Sequence, residues 1–95
     1  MVEIEFDSGK DRANIAKHGI SLAAAELMFL GPVHEFVDDR EEYGEERIVA
    51  QGFIAGRLFI CVYAWRGDFR RIISLRKATR REANAFGKRF PPKGP

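Results

Sequence analysis

Cysteine and tryptophan each occur once in 95 residues, and histidine twice. A lone thiol excludes a disulfide framework, and Cys61 sits inside an apolar run. It therefore reads as a small core residue of a protein from a reducing compartment. Long hydrophobic runs are missing too. The longest, at 58–65, has eight residues, too few to cross a bilayer. Met1-Val2-Glu3-Ile4-Glu5 lacks the cationic start and apolar stretch of a signal peptide, so a cytoplasmic protein with no membrane contact is expected. His18 and His34 are far apart in the chain, which leaves no zinc spacing. There is no P-loop and no Gly-x-Gly-x-x-Gly. No metal and no cofactor are expected. Acidic residues nearly vanish from the second half. Residues 47–95 hold two acids against twelve lysines and arginines, a net of +10, whereas residues 1–46 hold twelve acids against four, a net of −8. Such asymmetry points to an anionic partner for the basic part, with fold-back pairing of the two halves as the competing account.

The length suits one domain over residues 1–88, followed by a flexible proline-rich tail over 89–95 that begins at about Phe90. Val2 to Phe6 alternates apolar and acidic residues, the pattern of a half-buried strand. Asp7 or Ser8 offers an N-cap, with Asp11 placed as a capping-box partner of Ser8. The first helix then runs over about 9–18, is apolar only at Ala13, Ile15 and Ala16, and stops at Gly19. Ser21 caps a second helix over about 22–30, with Leu22, Ala25, Met28 and Phe29 on one face, ended by Gly31-Pro32.

Strands are expected over 33–37, 47–55, 58–65 and 69–77, joined by a charged connection over 38–46 and by turns at Gly56-Arg57 and Arg66-Gly67-Asp68. Ile48, Ala50, Gly52 and Ile54 share a face of the second of these. The 58–65 run is apolar on both faces, as a covered central strand requires. Thr79 caps a last helix through about 88, with Glu82 as its capping-box partner. The order β-α-α-β-β-β-β-α defines an α+β protein, with an antiparallel sheet and helices on one face.

Chemistry concentrates at residues 70–81, where Arg70, Arg71, Arg76, Lys77, Arg80 and Arg81 crowd a strand-to-helix junction. Strict alternation would point Arg70, Ile72, Ser74 and Arg76 one way and Arg71, Ile73, Leu75 and Lys77 the other. Cationic side chains beside a helix N-terminus suit a phosphate. The competing account pairs these arginines with Glu41, Glu42, Glu45 and Glu46. His18 closes the first helix, where the helix dipole favours its imidazolium; it is also a candidate for proton transfer near neutral pH. Tyr43 is a loop anchor or a stacking surface for a base, while Tyr63 and Trp65 read as core.

"KHGIS" (17–21), "DREEYGEERIVAQG" (39–52), "YAWRG" (63–67) and "RIISLRKATRREANAF" (71–86) together resemble the BrnT family of type II toxin–antitoxin toxins, over about residues 4–86. The resemblance implies a RelE-like fold, a ribonuclease that arrests translation, and a ribbon-helix-helix antitoxin of the BrnA kind. It implies a heterotetramer of the two, with DNA touched only through the antitoxin. Metal-free RNA cleavage through 2′-OH attack needs a base, an acid and cations for the developing charge. Arg66, Arg76 and Arg80 are then phosphate clamps, Lys77 a clamp or proton donor, His18 the acid or base, and Glu82 a weaker candidate because capping occupies it. Lys17, Tyr43, Arg47, Arg70, Arg71 and Arg81 are expected to contact RNA, with Tyr43 and Arg47 at the rim. One departure is Phe86, which stands near where relatives often carry tyrosine and has no hydroxyl to donate. The alternative is a non-catalytic nucleic-acid-binding or protein-interaction module with a basic docking face.

Overall fold

The apolar run at 58–65 becomes the middle of a five-stranded sheet, because both of its faces are covered. The computed structural model describes residues 2–40, 42 and 44–91. Its elements are β1 (Ile4–Glu5), α1 (Ser8–His18), a 3₁₀ turn (Leu22–Ala24), α2 (Ala25–Met28), β2 (Val33–Asp38), β3 (Arg47–Ile54), β4 (Arg57–Arg66), β5 (Phe69–Lys77) and α3 (Arg80–Arg89). The sheet order is β1-β5-β4-β3-β2. The α+β class and the element order match the expectation. Met1, Glu41, Tyr43 and residues 92–95 lie outside the described residues.

Local chemistry sets most boundaries. The Asp7 carboxylate accepts from the Lys10 amide at 2.9 Å and caps α1, and Gly19, at φ 73°, ends it. Asp11 does not form the expected capping box with Ser8. It reaches forward and accepts from Ser21 Oγ and the Leu22 amide at 2.9 and 2.7 Å, tying α1 to the next turn. The second helix is shorter than expected and starts as a 3₁₀ turn. Leu22, Ala25 and Met28, all fully buried, recur every three residues, a spacing that suits the tighter coil. The β3–β4 turn is Ala55-Gly56, one residue earlier than expected; both have positive φ (50° and 77°), the primed hairpin geometry.

Three features depart from the sequence reading. β1 pairs with β5 in parallel, through Ile4↔Arg70 and Glu5↔Arg71, so the sheet is mixed rather than purely antiparallel. β5 carries a bulge: Tyr63 pairs with Ile72 but Val62 with Ser74, leaving Ile73 as an extra residue. The bulge lets Ile72 and Leu75, three apart, both enter the core, and it reverses the alternation beyond it. Arg70, Ile72, Leu75 and Lys77 therefore share one face, and Arg71, Ser74 and Arg76 the other. Finally, the helices do not lie on one face. α1 and α2 cover the side bearing Ala50, Cys61 and Tyr63, whereas α3 packs on the opposite side, with Phe86 against Phe53 at 5.7 Å. Phe90, read from sequence as the start of the tail, stacks on His34 and Phe86 at 4.8 and 4.9 Å.

The core between sheet and α2 has no spare room at Gly52. A Cβ there would lie 2.7 Å from Met28 Cγ and 2.8 Å from Val33 Cγ1, and Met28 is itself fully buried. Gly52→Ala is expected to lower stability by about 1–3 kcal/mol through overpacking. The check is a lower denaturant midpoint at unchanged slope. Among the described residues no helix is long and apolar enough to cross a membrane.

Candidate active site

β5 ends by delivering Arg76 and Lys77 to opposite faces, and α3 begins three residues later. Thr79 caps α3 with its hydroxyl on the Glu82 amide at 3.1 Å, while Glu82 Oε1 takes the Thr79 amide at 2.8 Å. The expected capping box is thus formed. The same carboxylate accepts two bonds from Arg76, Nη1 to Oε1 at 2.7 Å and Nη2 to Oε2 at 2.9 Å. The Arg76 bonds, more than any other influence, hold the Glu82 carboxyl down at about 2. Reciprocally, Glu82 raises Arg76. The second hydrogen on Nη1 faces the Lys77 carbonyl at 3.3 Å. Arg76 therefore spends its end-on fork on Glu82, and among the described residues its side-on fork, Nε and the outer hydrogen of Nη2, is left for another anion.

α1 brings His18 to this junction. It is held there by Asn14, a buried polar residue to which the sequence reading gave no role. Its amide donates to the Leu75 carbonyl at 2.8 Å and the Ile20 carbonyl at 2.9 Å, and accepts from the Leu75 amide at 3.2 Å. Leu75 is the neighbour of Arg76, so one side chain sets the spacing between helix and strand end. The available signal was an asparagine in mid-helix, where its side chain competes with the backbone. Ile15, one of the few apolar residues of α1, is 45% exposed while Asn14 is 6%.

The result is an opening of about 650 Å³ lined by Lys17, His18, Arg76, Lys77, Thr79 and Glu82. Burial, then the charges of Lys17 and Arg76, push the His18 pKa below its ordinary 6.5. The shift runs opposite to the imidazolium expected at a helix C-terminus and favours the neutral imidazole at pH 7. Among the described residues no three His, Cys, Asp or Glu side chains gather as a metal site.

The remaining expected site residues are dispersed. Arg80 and Arg81 line a separate opening on α3 with Asn84, Ala85 and Lys88. Arg66 lies six residues along β4 from Ile60, the partner of Arg76, hence about 20 Å away. Its Nε stands 3.7 Å from Glu45. Arg71 is 3.8 Å from Glu5. Arg70 is on the α2 face, 4.1 Å from the Phe29 ring centre and near the Tyr63 and Trp65 rings, with its Nε buried and without a hydrogen-bond partner among the described residues. Arg47 faces Asp38 across the β2–β3 ladder. Tyr43 lies outside the described residues. Two reactive groups are silenced in the core. Burial raises the Cys61 thiol to about 12, and burial with the hydroxyl's bond to Glu35 raises Tyr63 to about 12.

None of the curated proteins compared with this chain matches it. A family model does match, that of the ribonuclease toxin BrnT of type II toxin–antitoxin systems, over residues 6–82. The matched span runs from the end of β1 to Glu82 and contains every residue lining the His18 opening. The chain belongs to the BrnT family of ribonuclease toxins of type II toxin–antitoxin systems.

Proposed function

We propose that this ribonuclease toxin cleaves RNA by metal-independent transesterification at the His18–Arg76 opening, arresting translation in the cytoplasm. The observation that carries the reading is a neutral imidazole set beside an arginine whose side-on fork stays open. In the reaction, the 2′-oxygen attacks phosphorus while His18 takes its proton, and the P–O5′ bond breaks. The products are a 2′,3′-cyclic phosphate and a 5′-hydroxyl. Lys77 is the candidate proton donor to the departing 5′-oxygen, with Lys17 beside it. Arg76 holds the non-bridging oxygens, where negative charge grows. Glu82 stays ionised down to about pH 2, so it is a positioning residue for Arg76 and not an acid.

A ribbon-helix-helix antitoxin, in a heterotetramer with the toxin, silences the protein, and DNA is reached only through it. The basic opening is the face such a partner has most reason to cover. Expression of the chain alone tests the reading: growth arrest with RNA fragmentation supports it, and intact RNA at high toxin levels overturns it. With purified protein, a 2′-deoxy substitution at the cleavage site must abolish cleavage, and a metal chelator must not.

The His18 shift gives a pH prediction. A base works unprotonated, and its pKa is lowered, so activity should rise through a value below 6.5 and level off by pH 7. Removing one nearby charge with Lys17→Gln should move that limb upward, toward 6.5. His18→Ala should cost about 10²- to 10⁴-fold in kcat and remove the limb. Loss of rate with the limb intact would assign the base elsewhere.

A further inference from the structure

The opposite face of the sheet holds a second depression that the His18 opening leaves unused. Strand pairing lays two rows across it, Arg76–Ile60–Gln51–His34 and Ser74–Val62–Val49–Phe36. The bulge at Ile73 is what brings Ser74 and Arg76 to this side. All residues of the two rows except His34, which lies against Phe90, line a groove of about 390 Å³, within the range of small-ligand pockets, with Arg40 and Glu82 at its walls. Val49 and Ile60 are buried and apolar, whereas Phe36 is 46% exposed. Asp38 fixes the Arg40 guanidinium with two bonds of 2.8 Å. Gln51 and Ser74 are half-buried, and among the described residues their side chains make no hydrogen bond. Half-buried and open to solvent, they are free to exchange water for the edge of a ligand.

Arg76 lines both openings. A phosphate on its side-on fork would hold the attached nucleoside at the mouth of this groove. Gln51 stands two strands away, about 10 Å at ordinary sheet spacing, which matches the reach from a phosphate to the edge of its base. An exposed ring, a fixed guanidinium plane and an unpaired amide are the parts with which proteins hold an unstacked base. We propose that the groove is a base-binding subsite. The base next to the scissile phosphate lies on the Val49–Ile60–Val62 floor against Phe36, and Gln51 and Ser74 read its edge. The proposal rests on the cleavage reading above for the identity of the phosphate alone.

Titration of the isotope-labelled full chain with each of the four 3′-mononucleotides, and with inorganic phosphate, tests it. Nucleotides should shift the Gln51 side-chain amide, Ser74, Ile60 and Phe36; phosphate alone should shift Arg76 and Lys77. The best and worst bases should differ in affinity by about tenfold, the discrimination expected of one good amide–base pair. Gln51→Leu should collapse that difference. Phe36→Ala, at an exposed edge position, should weaken all four by about tenfold through lost stacking. Equal binding of the four, shifts confined to Arg76, or an unchanged ranking in Gln51→Leu would overturn the subsite. If nucleotides leave the groove silent while both variants weaken the antitoxin, the face is a protein-docking surface instead. Groove shifts without any RNA cleavage by the wild type would sink the cleavage reading and leave the subsite standing.

Discussion

Arg76→Ala should lower RNA cleavage by about 10²- to 10³-fold and abolish growth arrest at equal soluble protein. The size follows from where the guanidinium is placed. Among the described residues its side-on fork is the one bidentate donor at the His18 opening, and in the proposed reaction losing such a donor removes stabilisation that exists only while charge develops on the phosphate. The fold should survive, because the Arg76–Glu82 pair is partly exposed, with side chains 36% and 33% accessible, and such pairs contribute about 0–1 kcal/mol. Two further variants separate charge from geometry. Arg76→Lys keeps the charge but has no fork, so it should recover only part of the rate. Glu82→Gln keeps a capping-box side chain for α3 and removes the charged partner that orients Arg76. It should lower kcat more than it raises KM, since the substrate still meets a cation. Arg76→Ala with wild-type cleavage would remove this corner from the reaction altogether.

What the sequence made legible was chemistry that closes within a few residues. Thr79 and Glu82 are three apart, and the capping box they announce is formed. Gly19 stops α1 where a left-handed residue should, and the apolar 58–65 run takes the centre of the sheet. What stayed hidden depends on partners far along the chain. Residues 70–81 read as one basic cluster, yet the bulge at Ile73 and the sheet's length scatter it. Arg70 goes under Phe29, Arg71 beside Glu5, Arg76 onto Glu82, and Arg80 and Arg81 onto the outer side of α3. The bulge exists because both Ile72 and Leu75 must enter a core shaped by other strands, which no window on β5 alone reveals. His18 could be nominated from sequence. Of the causes of its lowered pKa only the neighbouring Lys17 was legible, since burial, the largest, and the Arg76 charge arise only when α1 docks on the end of β5.

That docking is the source of the largest expected loss of stability. Asn14→Ala deletes three hydrogen bonds and leaves the Leu75 amide and carbonyl, together with the Ile20 carbonyl, without their side-chain partner. Two of the three bonds are buried, and each buried polar group left unpaired costs about 1–3 kcal/mol. The sum, about 3–5 kcal/mol, is a large share of the 5–15 kcal/mol typical of a whole domain. At about 4–8 °C per kcal/mol for a chain of this size, the thermal midpoint should fall by about 12 °C or more. Asn14→Asp separates shape from pairing. It retains an acceptor for the Leu75 amide but turns a carboxylate oxygen toward two carbonyls, so it should be at least as damaging. A fall of less than about 4 °C in both variants would show that α1 is held by other contacts. Below the midpoint of Asn14→Ala, function should divide in a particular way. The Arg76–Glu82 pair belongs to β5 and α3 and does not need α1, so salt-sensitive RNA binding should persist. Cleavage should not, because the imidazole that we propose takes the 2′-OH proton is carried by the helix that Asn14 ties down.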